Sequence, residues 1–392
     1  MDRIILHIDV NSAFLSWTAI DLLRHGYNID IRKIPSVIGG DEKKRSGIVL
    51  ARSIPAKKYN ISTPEPLYQA RKKCPNLKIF PPNYKWYKYM SNKLFSYLKT
   101  YTNEIEIFSI DECFLDYTSI KHIYGDEIEF AKKISNDIKN NLKFTVNIGI
   151  ANNKLCAKMA SDFSKPDKIH TLYDYEIKDK MWPLQVDDLL WIGKKTSQIL
   201  HQLKINTIGE LANTDLYFLS KYFKNSASKM IQSANGKDDS KVFFEERINK
   251  GISSEITLLE DLIDKNEIYN TLIPIIEKLS LKLRKQNRYT DTIAILLKDK
   301  NFKRMTHQKK LKNCTNNTIE IENVVKELLN EIGTIEPIRL VGIRFDNLKD
   351  INYKQYSIFD NNENDIKNEN LQKALDIIKE KYGKDLKVKI DK

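Results

Sequence analysis

Apolar and β-branched residues run together from Arg3 to Asp9, and the same pattern returns at Ile105 to Ile110, Cys113 to Tyr117 and Thr145 to Ile150. Short apolar runs of this kind predict buried strands. Between them, Trp86 to Tyr101 and Glu127 to Leu142 space their apolar positions at helical intervals. Strands and helices mixed in this way predict an α+β sheet domain, interrupted by an insertion from roughly Ala13 to Pro82. From Asp174 to Lys241 the pattern is almost entirely helical. After a polar stretch around Glu245 to Gly251, a long amphipathic helix is expected near Ile268 to Gln286, bent or restarted at Pro274. A strand at Thr292 to Leu297, a second helix at Ile319 to Ile332 and a last strand at Ile338 to Phe345 complete a small separate α+β domain. Beyond Lys349 the chain is polar and rich in Asn and Asp, with a final helical pattern ending near Tyr382-Gly383.

Charge narrows the choice of partner. Lys and Arg outnumber Asp and Glu by 65 to 52 over 392 residues, a net +13 that draws the chain to a polyanion, whether nucleic acid or an acidic membrane surface. Lys278 to Lys312 alone holds twelve basic residues against Asp291 and Asp299, a net +10. No basic leader with an apolar core precedes Arg3 and no run is long enough to span a bilayer, so a cytoplasmic protein is expected. A basic amphipathic helix with an aromatic apolar face, the mark of membrane-surface attachment, is also missing from the pattern. Cys74, Cys113, Cys156 and Cys314 form no Cys-x-x-Cys pair, which argues against zinc and against a disulfide framework.

The chemistry rests on acidic positions. Asp9 ends the first strand, and Asp111-Glu112 falls between two strand patterns in Ser109-Ile110-Asp111-Glu112-Cys113-Phe114. Neighbouring side chains on one strand face opposite ways, so both can reach one site only if the chain turns there. We therefore expect Asp111-Glu112 at a hairpin tip beside the end of the Asp9 strand. Three clustered carboxylates repel one another, and a pair of divalent cations about 4 Å apart relieves that repulsion and suits phosphoryl transfer. Spacing alone leaves solvated strand ends as an equal alternative.

His7-Ile8-Asp9-Val10-Asn11-Ser12-Ala13-Phe14 and Phe108-Ser109-Ile110-Asp111-Glu112-Cys113 resemble the two catalytic motifs of the Y-family DNA polymerases, and the resemblance extends over nearly the whole chain. It implies a right-hand polymerase. The palm would be 1–12 and 83–170, the fingers 13–82, a helical thumb 171–241, a little finger 251–348 and a C-terminal tail 349–392. It further implies error-prone, lesion-bypassing DNA synthesis with two Mg²⁺ ions. Asp9, Asp111 and Glu112 would be the catalytic ligands, the Val10 carbonyl would complete the metal site, and Phe14 would be the steric gate against a 2′-hydroxyl. Asn11 stands where many relatives have Asp, at a position outside the carried-over ligand set.

The same resemblance assigns the grips on substrate. Ile148-Gly149-Ile150-Ala151-Asn152-Asn153-Lys154, with Lys158 and Lys165-Pro166-Asp167, resembles the palm segment in which the lysine before proline, here Lys165, meets the triphosphate. In the fingers segment Ser46 to Tyr59, Ala51, Ile54 and Lys57 replace the usual threonine, tyrosine and arginine. Lys57 keeps the charge without the bidentate fork, so Arg52 and Lys58 would share the work. Duplex DNA would be held by Gly193, Lys194, Lys195 and Gly209 of a helix-hairpin-helix and by Arg288, Lys303 and Arg304 of the little finger. Gln355, Ile358 and Phe359 in Gln355-Tyr356-Ser357-Ile358-Phe359 resemble a sliding-clamp-binding peptide. The expected partners are primer-template DNA, deoxynucleoside triphosphates and the clamp, with the protein itself a monomer. The rival from another class is a DNA-binding accessory protein that kept the fold and lost turnover. Ala51 and Ile54 make it thinkable, and intact Asp9, Asp111 and Glu112 speak against it.

Overall fold

The computed structural model describes residues 3–45, 47–245, 248–333, 336–350, 374, 376–378 and 381. The chain divides into two compact units. One comprises Met1–Gly40 and Gly47–Glu246, the other Asp41–Ser46 and Arg247–Lys392.

The first unit is built on a five-stranded sheet in which β1 (Ile5–Val10) is central and antiparallel to both neighbours, β6 (Glu112–Asp116) and β7 (Val146–Ala151). The edges are β5 (Ile105–Ile107), antiparallel to β6, and β8 (Ile169–Leu172), parallel to β7. Strand alternation decides the two faces. Leu6, Ile8 and Val10 enter one core with Trp17, Tyr87, Leu94, Ile134 and Ile138, from the helices Ala13–Arg24, Tyr84–Leu98 and Glu127–Leu142. Ile5, His7 and Asp9 point the other way, towards the helix Lys154–Asp162. Side-chain caps start several of these helices: Asn83 accepts from the Trp86 N–H, Asp126 from Ile128 and Glu129, and Asn153 from Cys156.

Gly149 governs how closely that last helix approaches the sheet. A Cβ there would lie 2.0 Å from the Ala157 carbonyl oxygen and 2.5 Å from the Ser161 nitrogen. Only a glycine permits that contact between strand and helix backbone. Gly149 is also the register partner of His7, so the turn of helix carrying Lys158 and Ser161 settles directly over the Asp9 face of β1.

The segment 13–82 contributes a small sheet of its own, ordered β3-β2-β4, from β2 (Ser36–Gly39), β3 (Val49–Arg52) and β4 (Lys78–Phe80). Helical segments follow from 174 to 234. Where the chain leaves them, a buried ion pair holds it: Lys154 Nζ lies 2.6 Å from Glu106 Oε2, which also accepts the Phe243 N–H at 3.0 Å.

In the second unit, the antiparallel sheet β11-β10-β12-β9 joins β9 (Gly251–Leu262), β10 (Thr290–Asp299), β11 (Arg304–Thr315) and β12 (Ile338–Asp346). Ile293, Ile295, Leu297, Val341 and Ile343 pack under the helices Lys265–Lys285 and Thr318–Glu331. The first of these continues through Pro274 as one helix, so it does not restart there. Pro274 lies on the exposed face of this helix. Strands β9 and β11, unforeseen in the sequence, are the two edges of this sheet, where polar residues dilute the alternation. Among the described residues no helix is long and apolar enough to cross a membrane.

The contact at Gly149 yields a direct expectation. Gly149→Ala should lift the helix off the sheet and cost about 3 kcal/mol, at the upper end of ordinary overpacking. Equilibrium urea unfolding would read this as a lower midpoint with an unchanged slope.

Candidate active site

Asp9 and Glu112 are register partners across β1 and β6, and the Val10 N–H donates to the Asp111 carbonyl at 3.0 Å. The link from β5 to β6 is tight, because the N–H groups of Phe108 and Ser109 both donate to the Glu112 carbonyl, at 3.0 and 3.1 Å. The chain therefore turns at Ser109–Asp111 and delivers the acidic pair beside the end of β1. Like charges directly opposite on neighbouring strands destabilise a sheet, so this arrangement needs counter-charge.

Lys158 provides it. Its Nζ lies 2.7 Å from Glu112 Oε2 and 3.2 Å from Asp9 Oδ2, with the side chain only 14% exposed. Lys165 Nζ reaches the same Asp9 Oδ2 at 2.9 Å and Asp162 Oδ1 at 2.8 Å. Fully buried His7 places Nε2 3.2 Å from Glu112 Oε2, while its Nδ1 meets Ser161 Oγ at 2.9 Å. Among the described residues no hydrogen bond falls on Asp9 Oδ1 or Glu112 Oε1. Each of these carboxylates is thus gripped by one oxygen and offers the other.

The charges respond accordingly. Burial alone would raise Glu112, but bonds from His7 and Lys158 and their charges outweigh it and bring its pKa down to about 2. Burial dominates at His7 and lowers it, against the neighbouring carboxylates of Glu112 and Asp9. Burial would lower Lys158, yet the charges of Asp9, Asp162 and Glu112 raise it. Asp111 goes the other way. Burial and then the charges of Asp9 and Glu112 raise it, against a 2.7 Å bond from Ser109 Oγ to its Oδ1.

Ligand atoms of His7, Asp9 and Glu112 lie within 4.8 Å of one another, whereas Asp111 stands outside that group, turned to Ser109. The donor set, mostly carboxylate oxygen, fits a hard divalent cation that takes oxygen ligands. Sequence reasoning did not single out His7, although its place two residues before Asp9 on one strand face could have suggested it.

A buried polar network sets the loop that carries Lys165. The Asn11 Oδ1 accepts from Thr145 Oγ1 and from the Asp167 N–H, both at 2.9 Å, and its Nδ2 donates to Asn147 Oδ1 at 3.0 Å. Asn147 in turn donates to the Ser161 and Ser164 carbonyls. Asn11 is thus committed to structure. Lys57 has its pKa lowered by burial and by the charges of Arg52 and Lys165. Arg52 also donates to the Ile61 carbonyl.

Phe14, in the first turn of the helix Ala13–Arg24, lies flat on Tyr87 with ring centroids 4.5 Å apart and planes 8° from parallel. The Tyr87 hydroxyl is fixed by Thr18 Oγ1 at 2.8 Å, and Tyr84 stands edge-on to Phe14 at 6.0 Å.

Gly193 precedes the helix Lys194–Gln202 as its N-cap, with Lys194 and Lys195 exposed in the first turn. Gly209 differs from expectation: its N–H already donates to the Trp182 carbonyl at 3.0 Å, and a Cβ would meet the Trp182 side chain at 3.0 Å. Packing accounts for this glycine. In the second unit, Lys303 and Arg304 are exposed, the latter paired with Glu255. Arg288, expected to touch DNA, is instead buried and donates to the Asn249 and Leu348 carbonyls at 2.6 and 3.0 Å. Its task is to tie chain segments together. Gln355, Ile358 and Phe359 lie outside the described residues.

Residues 8–162 match the impB/mucB/samB family and residues 249–358 match the impB/mucB/samB family C-terminal domain. DNA polymerase IV of Clostridium acetobutylicum is 48% identical over 98% of this chain and 96% of its own. DNA polymerase IV 1 of Bacillus subtilis is 32% identical, covering 97% and 91%. Among solved structures, the Y-family DNA polymerase chimera Dbh-Dpo4(243-245)-Dbh superposes with a TM-score of 0.75 at 23% identity, over 88% of this chain and 98% of that one. The chain therefore belongs to the impB/mucB/samB family, that of the Y-family DNA polymerases.

Proposed function

We propose that this DNA polymerase extends a primer on template DNA by two-metal-ion nucleotidyl transfer and tolerates damaged template bases. The observation that carries the reading is the pairing of Asp9 with Glu112 across β1 and β6, with Asp111 at the adjoining turn and Lys165 on Asp9. Carboxylates next to basic groups suit a triphosphate whose reactive end is held by divalent cations.

Asp9, Asp111, Glu112 and the Val10 carbonyl would hold two Mg²⁺ ions, which supply Lewis-acid stabilisation of the attacking and leaving oxygens. Lys165, Lys57 and Arg52 bind the phosphates. Lys165 can leave Asp9 for this task, because its loop is held through the backbone of Asp167. Ala51 and Ile54 have no side-chain donor, so the positive charges carry more of the grip. Phe14, stiffened from beneath by Tyr87, excludes a 2′-hydroxyl from the sugar position.

The palm is taken as 1–12 and 83–170, the fingers as 13–82, the thumb as 171–241 and the little finger as 251–348. Gly193, Lys194, Lys195, Lys303 and Arg304 grip the duplex through phosphates, independent of sequence. Gln355, Ile358 and Phe359 in the tail 349–392 bind a sliding clamp. The enzyme acts in the cytoplasm as a monomer.

Primer extension with Mg²⁺ on an undamaged and an abasic template tests the reading. The parent protein should extend both, and Glu112→Ala should lose on the order of a thousandfold in rate while still binding DNA. DNA binding without extension by the parent would favour the accessory-protein reading instead.

A second expectation concerns sugar selection. Phe14→Ala should reduce discrimination against ribonucleotides by about a hundredfold, measured as the ratio of kcat/KM values. Tyr87→Leu should reduce it less, and Tyr87→Phe, which keeps the stacked ring, should leave it near the parent value.

A further inference from the structure

We infer that Asn11 and Asn147 are positioning residues for Lys165, so that nucleotide affinity depends on two buried amides that do not touch the triphosphate. The inference rests on the reading above in which Lys165 meets the phosphates, and it assigns a role to two residues that reading does not use.

Asn147 is the register partner of Asp9 on β7 and is fully buried; Asn11 follows β1 and is nearly so. Lys165 stands between Ser164 and Pro166, on the loop that joins the helix Lys154–Asp162 to β8. The two amides hold that loop on both sides of the lysine. Before it, Asn147 Nδ2 donates to the Ser164 carbonyl at 2.6 Å. After it, the Asp167 N–H donates to Asn11 Oδ1 at 2.9 Å and the Lys168 N–H to Asn147 Oδ1 at 3.3 Å. A 3.0 Å bond from Asn11 Nδ2 to Asn147 Oδ1 joins the two amides.

Donor count makes the pair specific. An amide nitrogen has two hydrogens. Asn147 spends both, on the Ser161 and Ser164 carbonyls, so its oxygen is fixed towards Asn11. Position 11 must then donate to that oxygen while accepting from Thr145 Oγ1 and the Asp167 N–H. An amide does both, whereas an ionised aspartate would set acceptor against acceptor.

The consequence falls on the lysine. Its Nζ rests on Asp9 and Asp162, at 2.9 and 2.8 Å, and has to leave them for a phosphate. With the backbone fixed on either side, only the flexible side chain has to move, and little order is left to be imposed on binding. A loop released from the amides loses this preorganisation.

Single-turnover incorporation of one deoxynucleotide by the full-length protein on primer-template DNA with Mg²⁺, followed over nucleotide concentration, separates affinity from maximal rate. Asn11→Ala and Asn147→Ala should each weaken nucleotide affinity about tenfold and leave the maximal rate near the parent value. Lys165→Met should also weaken affinity, and either asparagine change added to it should weaken affinity no further, a coupling that general loosening of the fold would not produce. Asn11→Leu and Asn147→Leu replace any alanine variant that fails to fold, with the same coupling expected. Parent-like affinity in the asparagine variants, or an equal loss with and without Lys165, would overturn the inference and leave Lys165 as a phosphate ligand. Unchanged affinity in Lys165→Met would remove the inference together with that assignment of Lys165.

Discussion

Mutual repulsion of carboxylates held close together is the constraint on which the rest of the site depends. Register places Asp9 and Glu112 side by side, and the turn before β6 adds Asp111. Burial makes their charges more costly. The protein answers by pressing a helix onto the sheet at a glycine, so that Lys158 lies across both carboxylates, and by holding a loop so that Lys165 reaches one of them. Elements distant in sequence thus share one electrostatic purpose.

This compensation is incomplete by design. The lysines and His7 engage Asp9 Oδ2 and Glu112 Oε2 and leave the other oxygen of each to further cations. A structural ion pair would gain from satisfying every oxygen. A site that neutralises its acids by half remains ready for a charged substrate and the cations that accompany it.

Much of this was legible in the sequence, and the divide has a physical reason. The strands around Asp9 and Asp111-Glu112 are largely apolar, and two acidic residues between strand patterns can face one site only through a turn, so local pattern sufficed. Contacts made by packing were not legible. Lys158 acquires its role only when the helix Lys154–Asp162 settles over Gly149, and nothing in its own neighbourhood announces that approach. For the same reason Arg288, which reads as a basic surface residue, is turned inward to carbonyls, and the N–H of Gly209 is spent on Trp182.

The central claim is that these carboxylates hold catalytic divalent cations, and oxidative footprinting reaches it most directly. Fe²⁺ substituted for Mg²⁺ in the presence of DNA and nucleotide, with ascorbate and peroxide, generates radicals that cut the backbone beside the bound ion. Cleavage confined to the neighbourhoods of Asp9–Val10 and Asp111–Glu112, and suppressed by excess Mg²⁺, is the result this account predicts. Cleavage elsewhere, or at those positions but indifferent to Mg²⁺, would contradict it.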